Sequence, residues 1–243
     1  MSPGWQTSFG QQTAAVAGQD VDNVVIAVAP VGEVPGTVKF EGDAPDNYRN
    51  LRVSILSADD PRRGSTAIVQ PDLTFVLPNV FPAVYAIQSV SGPPGYYLKS
   101  IQYGGRDASG GRFNVAAPGT PLTLTLASDT AQLSVTVQSE DGSPAAAATV
   151  MLVPEGRYAL RDDLIRYANA GQNGRATIPD LAPGEYEIFA WEDVDRNLAQ
   201  APEFRSLLES RAGTVALEPA GRQSVQVQLI PAESIDEAKS KLQ

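Results

Sequence analysis

The sequence predicts an all-β protein built from two β-sandwiches in tandem. Three observations support this fold class: many short segments alternate apolar and polar residues, turn-forming residues separate these segments, and one motif occurs twice. Glycine and proline are abundant, at 21 and 19 residues, as expected for a chain with many turns. A hydrophobic fraction of 42% is sufficient for folded cores rather than a disordered chain.

The composition excludes several kinds of active site. The 243-residue chain contains no cysteine and no histidine, which rules out thiol nucleophiles, disulfides, Cys/His zinc sites and histidine-dependent triads. Its formal net charge of −10 argues against nucleic acid or an anionic membrane as partner, because both need clustered basic residues. No apolar run approaches the length of a membrane span. We therefore predict no cofactor, no nucleic-acid partner and no membrane span.

The individual strands follow from the alternation of period two. The clearest segments are residues 37–40, 51–56, 122–126, 133–137 and 225–229. In such a strand one face contacts a core and the other faces water. Between the strands lie clusters of turn residues, at 41–45, 91–95, 139–144, 172–174 and 182–184. Many short strands with this punctuation are typical of antiparallel sandwiches rather than of βαβ units.

An internal repeat sets the number of domains. FVLPNVFPAVYAI (75–87) aligns with ATIPDLAPGEYEI (176–188) at a constant offset of 101 residues. Each copy predicts a strand, a proline-containing turn and a return strand. Tyr85 and Tyr186 are equivalent and are expected in the two cores. We assign residues 31–130 to a first sandwich and residues 131–232 to a second.

The N-terminal segment, residues 1–30, ends in a further echo of the repeat. VVIAVAP (24–30) is similar to VQVQLIP (225–231), and this similarity predicts an orphan strand. The orphan strand is a candidate for assembly by strand addition to a neighbouring copy, through Val24, Val25, Ile26, Ala27 and Val28. Two origins stay open: the strand belongs to an upstream module of a longer protein, or it pairs elsewhere in this chain.

Little helix is expected. Residues 203–211 place Phe204, Leu207 and Leu208 at helical spacing, which predicts a turn or two of helix across an inter-strand connection. The tail, residues 233–243, predicts a short C-terminal helix with Ser234 as its N-cap, because Glu237 follows at the spacing of a capping box.

The duplicated motif and three further stretches carry a family resemblance. The stretches are residues 93–109, 178–195 and 202–231. They resemble bacterial carboxypeptidase regulatory-like domains, which are seven-stranded prealbumin-like (Ig-like) sandwiches related to collagen-adhesin B-type and starch-binding-like folds. The resemblance covers most of residues 21–232 and points to proteins of acidobacterial type. It implies two such sandwiches and an extracellular or cell-surface location, and it identifies no ligand.

Aromatic residues provide one candidate ligand-binding site. The rings that qualify as stacking platforms for sugars are Tyr96, Tyr97, Tyr103 and Trp191. Glu192 and Asp193 lie beside the tryptophan and can bind hydroxyl groups. Because Tyr96 and Tyr97 are adjacent, at most one of them faces the core. Trp191 follows an apolar strand, so packing in a core or at a domain junction is the competing interpretation.

An acidic loop provides the only metal candidate. Asp193, Asp195 and Asn197 have a spacing that can offer oxygen ligands to calcium. The glycine expected after Asn197 is missing, and Phe204 stands where a bidentate glutamate would fall. A solvated acidic loop is the competing interpretation.

Catalysis is not predicted. The carboxylate pairs Asp162–Asp163 and Glu192–Asp193 are adjacent in sequence, and neighbours on a strand point to opposite faces. The sequence favours a non-catalytic structural and interaction module, with a polysaccharide or protein partner at the cell surface. Two alternatives remain: a carbohydrate-binding module, and a subunit of an extracellular filament assembled by strand complementation.

Overall fold

A computed structural model describes residues 8–10, 18, 22, 24–26, 28–42, 44, 45, 48 and 50–242. Strands dominate the described chain. They are β1 (Ser8–Phe9), β2 (Ala29–Pro30), β3 (Gly32–Glu41), β4 (Arg52–Ser57), β5 (Gly64–Ile68), β6 (Thr74–Val80), β7 (Ala83–Ser91), β8 (Tyr97–Tyr103), β9 (Arg106–Asp107), β10 (Arg112–Val115), β11 (Leu122–Ala127), β12 (Ala131–Gln138), β13 (Thr149–Pro154), β14 (Arg166–Asn169), β15 (Arg175–Leu181), β16 (Gly184–Trp191), β17 (Gly213–Leu217) and β18 (Arg222–Gln228). The α-helices are α1 (Arg196–Gln200), α2 (Pro202–Ser206) and α3 (Ala232–Lys241).

The fold is all-β and consists of two sandwiches that follow one another in the chain. One compact unit comprises Met1–Pro93 and Leu98–Leu126, and the other comprises Pro94–Tyr97 and Ala127–Gln243. No helix in the described ranges is both long and apolar enough to cross a bilayer.

The second sandwich has the seven strands that the sequence predicts. One sheet has the order β15-β12-β18 and the other β14-β13-β16-β17, and β12 pairs with β18 in parallel. Inward-facing residues of both sheets form the core between them, among them Leu133, Val135, Val150 and Ile188.

The first sandwich repeats this topology and adds two strands. Its sheets have the orders β10-β7-β4-β5 and β6-β3-β11-β8-β9. Removing β8 and β9 leaves the same strand order as in the second sandwich. The expectation of seven strands is therefore wrong for the first sandwich, whose described residues form nine, because the segment after β7 folds as a hairpin and extends one sheet.

The sequence repeat corresponds to a shared bulge and a change of sheet. Val34 faces Leu77 and Gly32 faces Val80, so residues 78 and 79 oppose a single residue of β3. The second sandwich has the same bulge at residues 179 and 180, between the pairs Leu133–Ile178 and Ala131–Leu181. In both copies a proline removes a ladder N–H, and the next residue, Asn79 or Asp180, adopts a positive φ of 53° or 55°. The return strand then joins the opposite sheet.

A helical layer covers the second sandwich. Along β13 and β16, side chains alternate between the core described above and a separate cluster on the outer face of the sheet. That cluster contains Met151, Val153, Phe189 and Trp191 from the strands, and Ala199, Phe204, Leu208, Ile235 and Ala238 from the connection after β16 and from α3. The sheet is buried on both faces, which explains why β16 ends in a run of apolar residues.

One detail of the predicted helices needs correction. Helix α3 begins at Ala232 after Pro231, so Ser234 is a helical residue and its side chain does not cap the helix. Residues 203–211 contain the predicted turn or two of helix, because α2 ends at Ser206 and a 3₁₀ turn follows at Glu209–Arg211. Phe204 and Leu208 are buried as the spacing predicted, whereas Leu207 is 39% exposed.

Of the strand predicted at 24–30, the described residues form only the end, Ala29–Pro30, which is β2. Residues 24–26 and 28 have no strand hydrogen bonding, and Ala27 lies outside the described residues. Instead, β1 and β2 form a two-residue ladder. The ring of Phe9 in β1 packs edge-on against that of Phe81, with 5.2 Å between the ring centroids. The Arg63 guanidinium lies 4.0 Å from the centroid of the Phe9 ring.

Candidate functional site

The hairpin of β8 and β9 builds a cleft in the first sandwich. Gly104 and Gly105 connect the two strands with φ values of 58° and 76°, the geometry of a type I′ turn. The Gly104 N–H donates to the Pro121 carbonyl at 2.9 Å and anchors the tip of the hairpin. This cleft has a volume of about 390 Å³, and another cleft, of about 500 Å³, lies in the second sandwich.

Aromatic and basic side chains line the cleft of the hairpin. Its walls include Tyr103, Arg106, Arg112, Phe113, Asn114 and Thr120. Of the four aromatic residues singled out by the sequence, Tyr103 is the one that lines this cleft. Tyr103 is partly exposed, and the centroid of its ring lies 5.2 Å from that of the buried Phe113.

The adjacent tyrosines have different environments. Tyr97 is 6% exposed and packs within the second unit beside Tyr158, Leu164 and Ala182. It therefore offers no free ring face, and its assignment as a stacking platform is corrected to a packing role. Tyr96 is partly exposed, in agreement with the expectation that at most one of the two faces inward.

Trp191 is also a core residue. It is 1% exposed, and its ring lies 5.8 Å from that of Phe189 in the cluster beneath the helices. Of the two interpretations of Trp191, packing in a core is the one the structure supports. The helical layer that buries the ring could not be recognised from the alternation of the strands.

Glu192 and Asp193 are exposed at the surface of the second sandwich. They lie at the mouth of a small pocket of about 220 Å³, whose apolar wall includes Ile230 and Ile235. Asp236 lines the same pocket and forms an ion pair with Lys239 at 3.3 Å. The predicted binding residues thus belong to both sandwiches: Tyr103 lies in the first, and Trp191, Glu192 and Asp193 lie in the second.

The calcium candidate has a structural use. Asp195 is the N-cap of α1, and its Oδ1 accepts hydrogen bonds from the N–H groups of Asn197 at 2.9 Å and Leu198 at 3.1 Å. Among the described residues there is no group of three or more acidic side chains arranged to hold a metal ion. Asp195 therefore has a structural role as the cap of a helix.

A buried ion pair holds the connection between β13 and β14. The Arg161 guanidinium binds both oxygens of Asp163, with Nε–Oδ1 at 2.6 Å and Nη2–Oδ2 at 2.8 Å. Both side chains are almost completely buried. The charge of Asp163 is thus balanced within the fold by Arg161.

The larger cleft follows an open edge of the second sandwich, a site that sequence reasoning missed. It lies along β17 and β18, the terminal strands of their sheets, and includes Gly213, Val227, Leu229 and Ile230 among its lining residues. In the first sandwich β8 pairs with β11 at the equivalent position. The sequence contains a signal for this difference between the two sandwiches. After β7 the chain has a strand-like pattern at residues 97–103, whereas after β16 it has helical spacing at residues 203–211.

No known protein family and no curated protein sequence matches the chain. Similar solved structures include the TIE protein of Bacillus anthracis, at 15% identity and a TM-score of 0.29, covering 84% of this chain and 36% of that one. The minor pilin of Streptococcus agalactiae has 10% identity and a TM-score of 0.33, with 82% and 97% of the chains covered. A proposed carbohydrate-binding protein of Pseudomonas aeruginosa has 15% identity and a TM-score of 0.29, with 41% and 88% covered.

The chain thus spans about a third of the length of the TIE protein. At these TM-scores the similarities carry no argument about the function of this chain. The fold assignment rests on the strand order and on the duplicated bulge.

Proposed function

We propose that this chain is a non-catalytic structural and interaction module of an exported or cell-surface bacterial protein, and that it associates by strand addition at the outer edge of β18. The surface location rests on the resemblance to carboxypeptidase regulatory-like domains. The association rests on one observation: the edge of β18 is open where the equivalent edge of β11 is covered by β8.

The edge of β18 lacks the features that protect other edges of this fold. At the opposite end of the same sheets, β6 and β15 carry Pro78 and Pro179, which interrupt a ladder. Strand β18 has seven residues, and after Arg222 it contains no charge and no proline. A long, uncharged edge of this kind is a template for another strand.

The proposed donor is the segment 24–28 of a second copy. Its described side chains are apolar and exposed: Val24 by 46%, Val25 by 77%, Ile26 by 53% and Val28 by 65%. The segment has a suitable length and pattern for a β-strand, and it lies far along the chain from the acceptor. Repeated addition of one copy to the next is head-to-tail and produces an open filament.

Sedimentation velocity over a wide range of concentration tests the association. The unmodified chain is expected to form larger species as concentration rises. Ser224→Lys/Gln226→Lys places charges on exposed positions of β18, and Val25→Lys/Ile26→Lys does so on the donor; each pair should leave a monomer. Ile68→Lys is the matched control, because it removes an equally exposed apolar residue from the first sandwich. A monomer at every concentration for the unmodified chain contradicts the proposal.

A second candidate function, carbohydrate binding, is supported by the cleft of the β8–β9 hairpin. The partly exposed Tyr103 ring, with Asn114 and Thr120 nearby, combines a stacking surface with hydrogen-bonding groups. Retention of the chain on an immobilised polysaccharide, lost in Tyr103→Ala, tests this function independently of filament formation.

A further inference from the structure

The cleft of the β8–β9 hairpin has an electrostatic character that differs from that of the chain as a whole. Arg106 lies on β9 and Arg112 begins β10, so each sheet of the first sandwich contributes one guanidinium to the cleft. Both side chains are exposed. Neither has a side-chain hydrogen bond or an ion pair in the described ranges. Two unneutralised arginines on one cleft are notable in a chain with a net charge of −10.

One carboxylate, that of Asp107, also lines the cleft. Asp107 Oδ1 accepts hydrogen bonds from Ser109, from the N–H at 3.0 Å and from Oγ at 2.6 Å. These bonds orient the carboxylate into its own turn. Counting Asp107, the cleft still has an excess of positive charge. Guanidinium groups bind carboxylates through paired hydrogen bonds, which gives the cleft a preference for an acidic ligand.

The aromatic wall of the cleft is held in place by ring contacts. Phe113 is 5% exposed, and its ring is stacked 6.3 Å from Tyr85 on one side and lies 5.2 Å from Tyr103 on the other. Tyr103 Oη also donates to the Ala117 carbonyl at 3.4 Å. The ring of Tyr103 is thereby oriented before a ligand arrives, which lowers the entropic cost of stacking against a sugar ring.

We propose that this cleft binds an acidic polysaccharide, with Tyr103 stacking against a sugar ring and Arg106 and Arg112 binding its carboxylates. This inference rests on the carbohydrate-binding candidate above and names its ligand class. The second sandwich has no such cleft, because the connection after β16 is helical and does not form the hairpin.

Binding of polygalacturonate and of neutral dextran to the full chain distinguishes the possibilities. Polygalacturonate is expected to bind and dextran is not. Arg106→Gln/Arg112→Gln should weaken polygalacturonate binding by about tenfold or more, and added salt should weaken binding to the unmodified chain. The matched control is Arg52→Gln, an exposed arginine on β4 outside the cleft, which should bind like the unmodified chain.

Each result has a separate meaning. Equal binding of both polysaccharides, unaffected by the arginine pair, retains carbohydrate binding and overturns the acidic specificity. Polygalacturonate binding that is lost equally in Arg52→Gln shows general charge attraction and also overturns the proposed site. Absence of binding to both polysaccharides overturns this inference and the carbohydrate-binding candidate together, while the filament proposal is decided by sedimentation.

Discussion

The Oη of Tyr186 donates a hydrogen bond of 2.8 Å to the carbonyl of Ala182, four residues earlier. In the first sandwich the equivalent Tyr85 Oη accepts a bond of 3.1 Å from the N–H of Phe81. The two tyrosines thus secure the same corner, where the chain passes from one sheet to the other, through different backbone groups. Similar tyrosine corners stabilise other β-sandwiches.

We expect Tyr186→Phe to lower the free energy of unfolding of the second unit by about 1–3 kcal/mol, because the buried carbonyl of Ala182 loses its donor. Urea unfolding followed by Trp191 fluorescence, in a Trp5→Phe background, measures this change. Tyr85→Phe is the matched control and should leave the Trp191 transition where it is. An unchanged midpoint in Tyr186→Phe would show that the hydroxyl adds nothing to the corner.

The same tyrosine makes the second unit sensitive to alkali. Burial raises the pKa of Tyr186 from 10.0 to about 12. Between these values the unfolded chain loses the phenol proton before the folded chain does, so stability present below pH 10 is lost as the pH approaches 12. The difference in stability between the unmodified chain and Tyr186→Phe should therefore shrink over this range. Urea midpoints measured on either side of pH 10 test this expectation, and a constant difference would contradict it.

The buried Arg161–Asp163 ion pair predicts that a substitution of Asp163 strongly lowers the free energy of unfolding. Asp163→Asn leaves the Arg161 guanidinium buried without its carboxylate, and we expect a loss of about 3–5 kcal/mol in the free energy of unfolding. Asp162→Asn changes the neighbouring carboxylate and is the control, with a smaller expected effect. Thermal unfolding by circular dichroism measures both variants; equal effects would mean that the Arg161–Asp163 pair has no special role.

Substitutions of Asp195 distinguish its role as the N-cap of α1 from a role as a calcium ligand. Asp195→Ala should cost about 1 kcal/mol, whereas Asp195→Asn should retain most of the stability, because asparagine is an equally good N-cap. Calcium should not change the melting temperature of the unmodified chain. A rise in melting temperature with calcium that Asp195→Asn abolishes would restore the metal assignment.

Glu187 on β16 is in an unfavourable environment. Burial raises its pKa above the ordinary value of 4.5, and the charges of Glu155 and Glu209 raise it further. The folded state therefore binds the proton more tightly than the unfolded state, and stability is lost as the pH rises above 4.5 through the raised value.

Glu187→Gln should accordingly stabilise the second unit at neutral pH and lose this advantage in acid. The midpoints of urea unfolding at neutral pH and in acid measure this change in stability. Glu185→Gln, at an exposed position of the same strand, provides the comparison and should show a smaller gain. A lower free energy of unfolding for Glu187→Gln than for the unmodified chain at neutral pH would show that the charge of Glu187 is not unfavourable in the folded state.

Much of the fold could be predicted because its determinants are local. Alternation along residues 122–126 and 133–137 specifies which side chains face a core, and this pattern needs no knowledge of the partner strand. Pro78 and Pro179 specify the positions of the bulges, since a residue without an N–H cannot continue the ladder. The candidate site was less predictable: Tyr103 was predicted from the sequence as a stacking platform for sugars, but no role was predicted for Arg106 or Arg112.

The sequence by itself thus determined two all-β modules, their repeated corner and the absence of histidine- and cysteine-dependent chemistry. Only the tertiary structure decided that β8 covers the edge of β11 while β18 stays open, and that helices bury Trp191. Alternation tells which face of a strand is apolar, but it does not tell which distant segment covers that face or that edge. Those contacts join residues far apart in the chain, and they depend on how all the strands pack together.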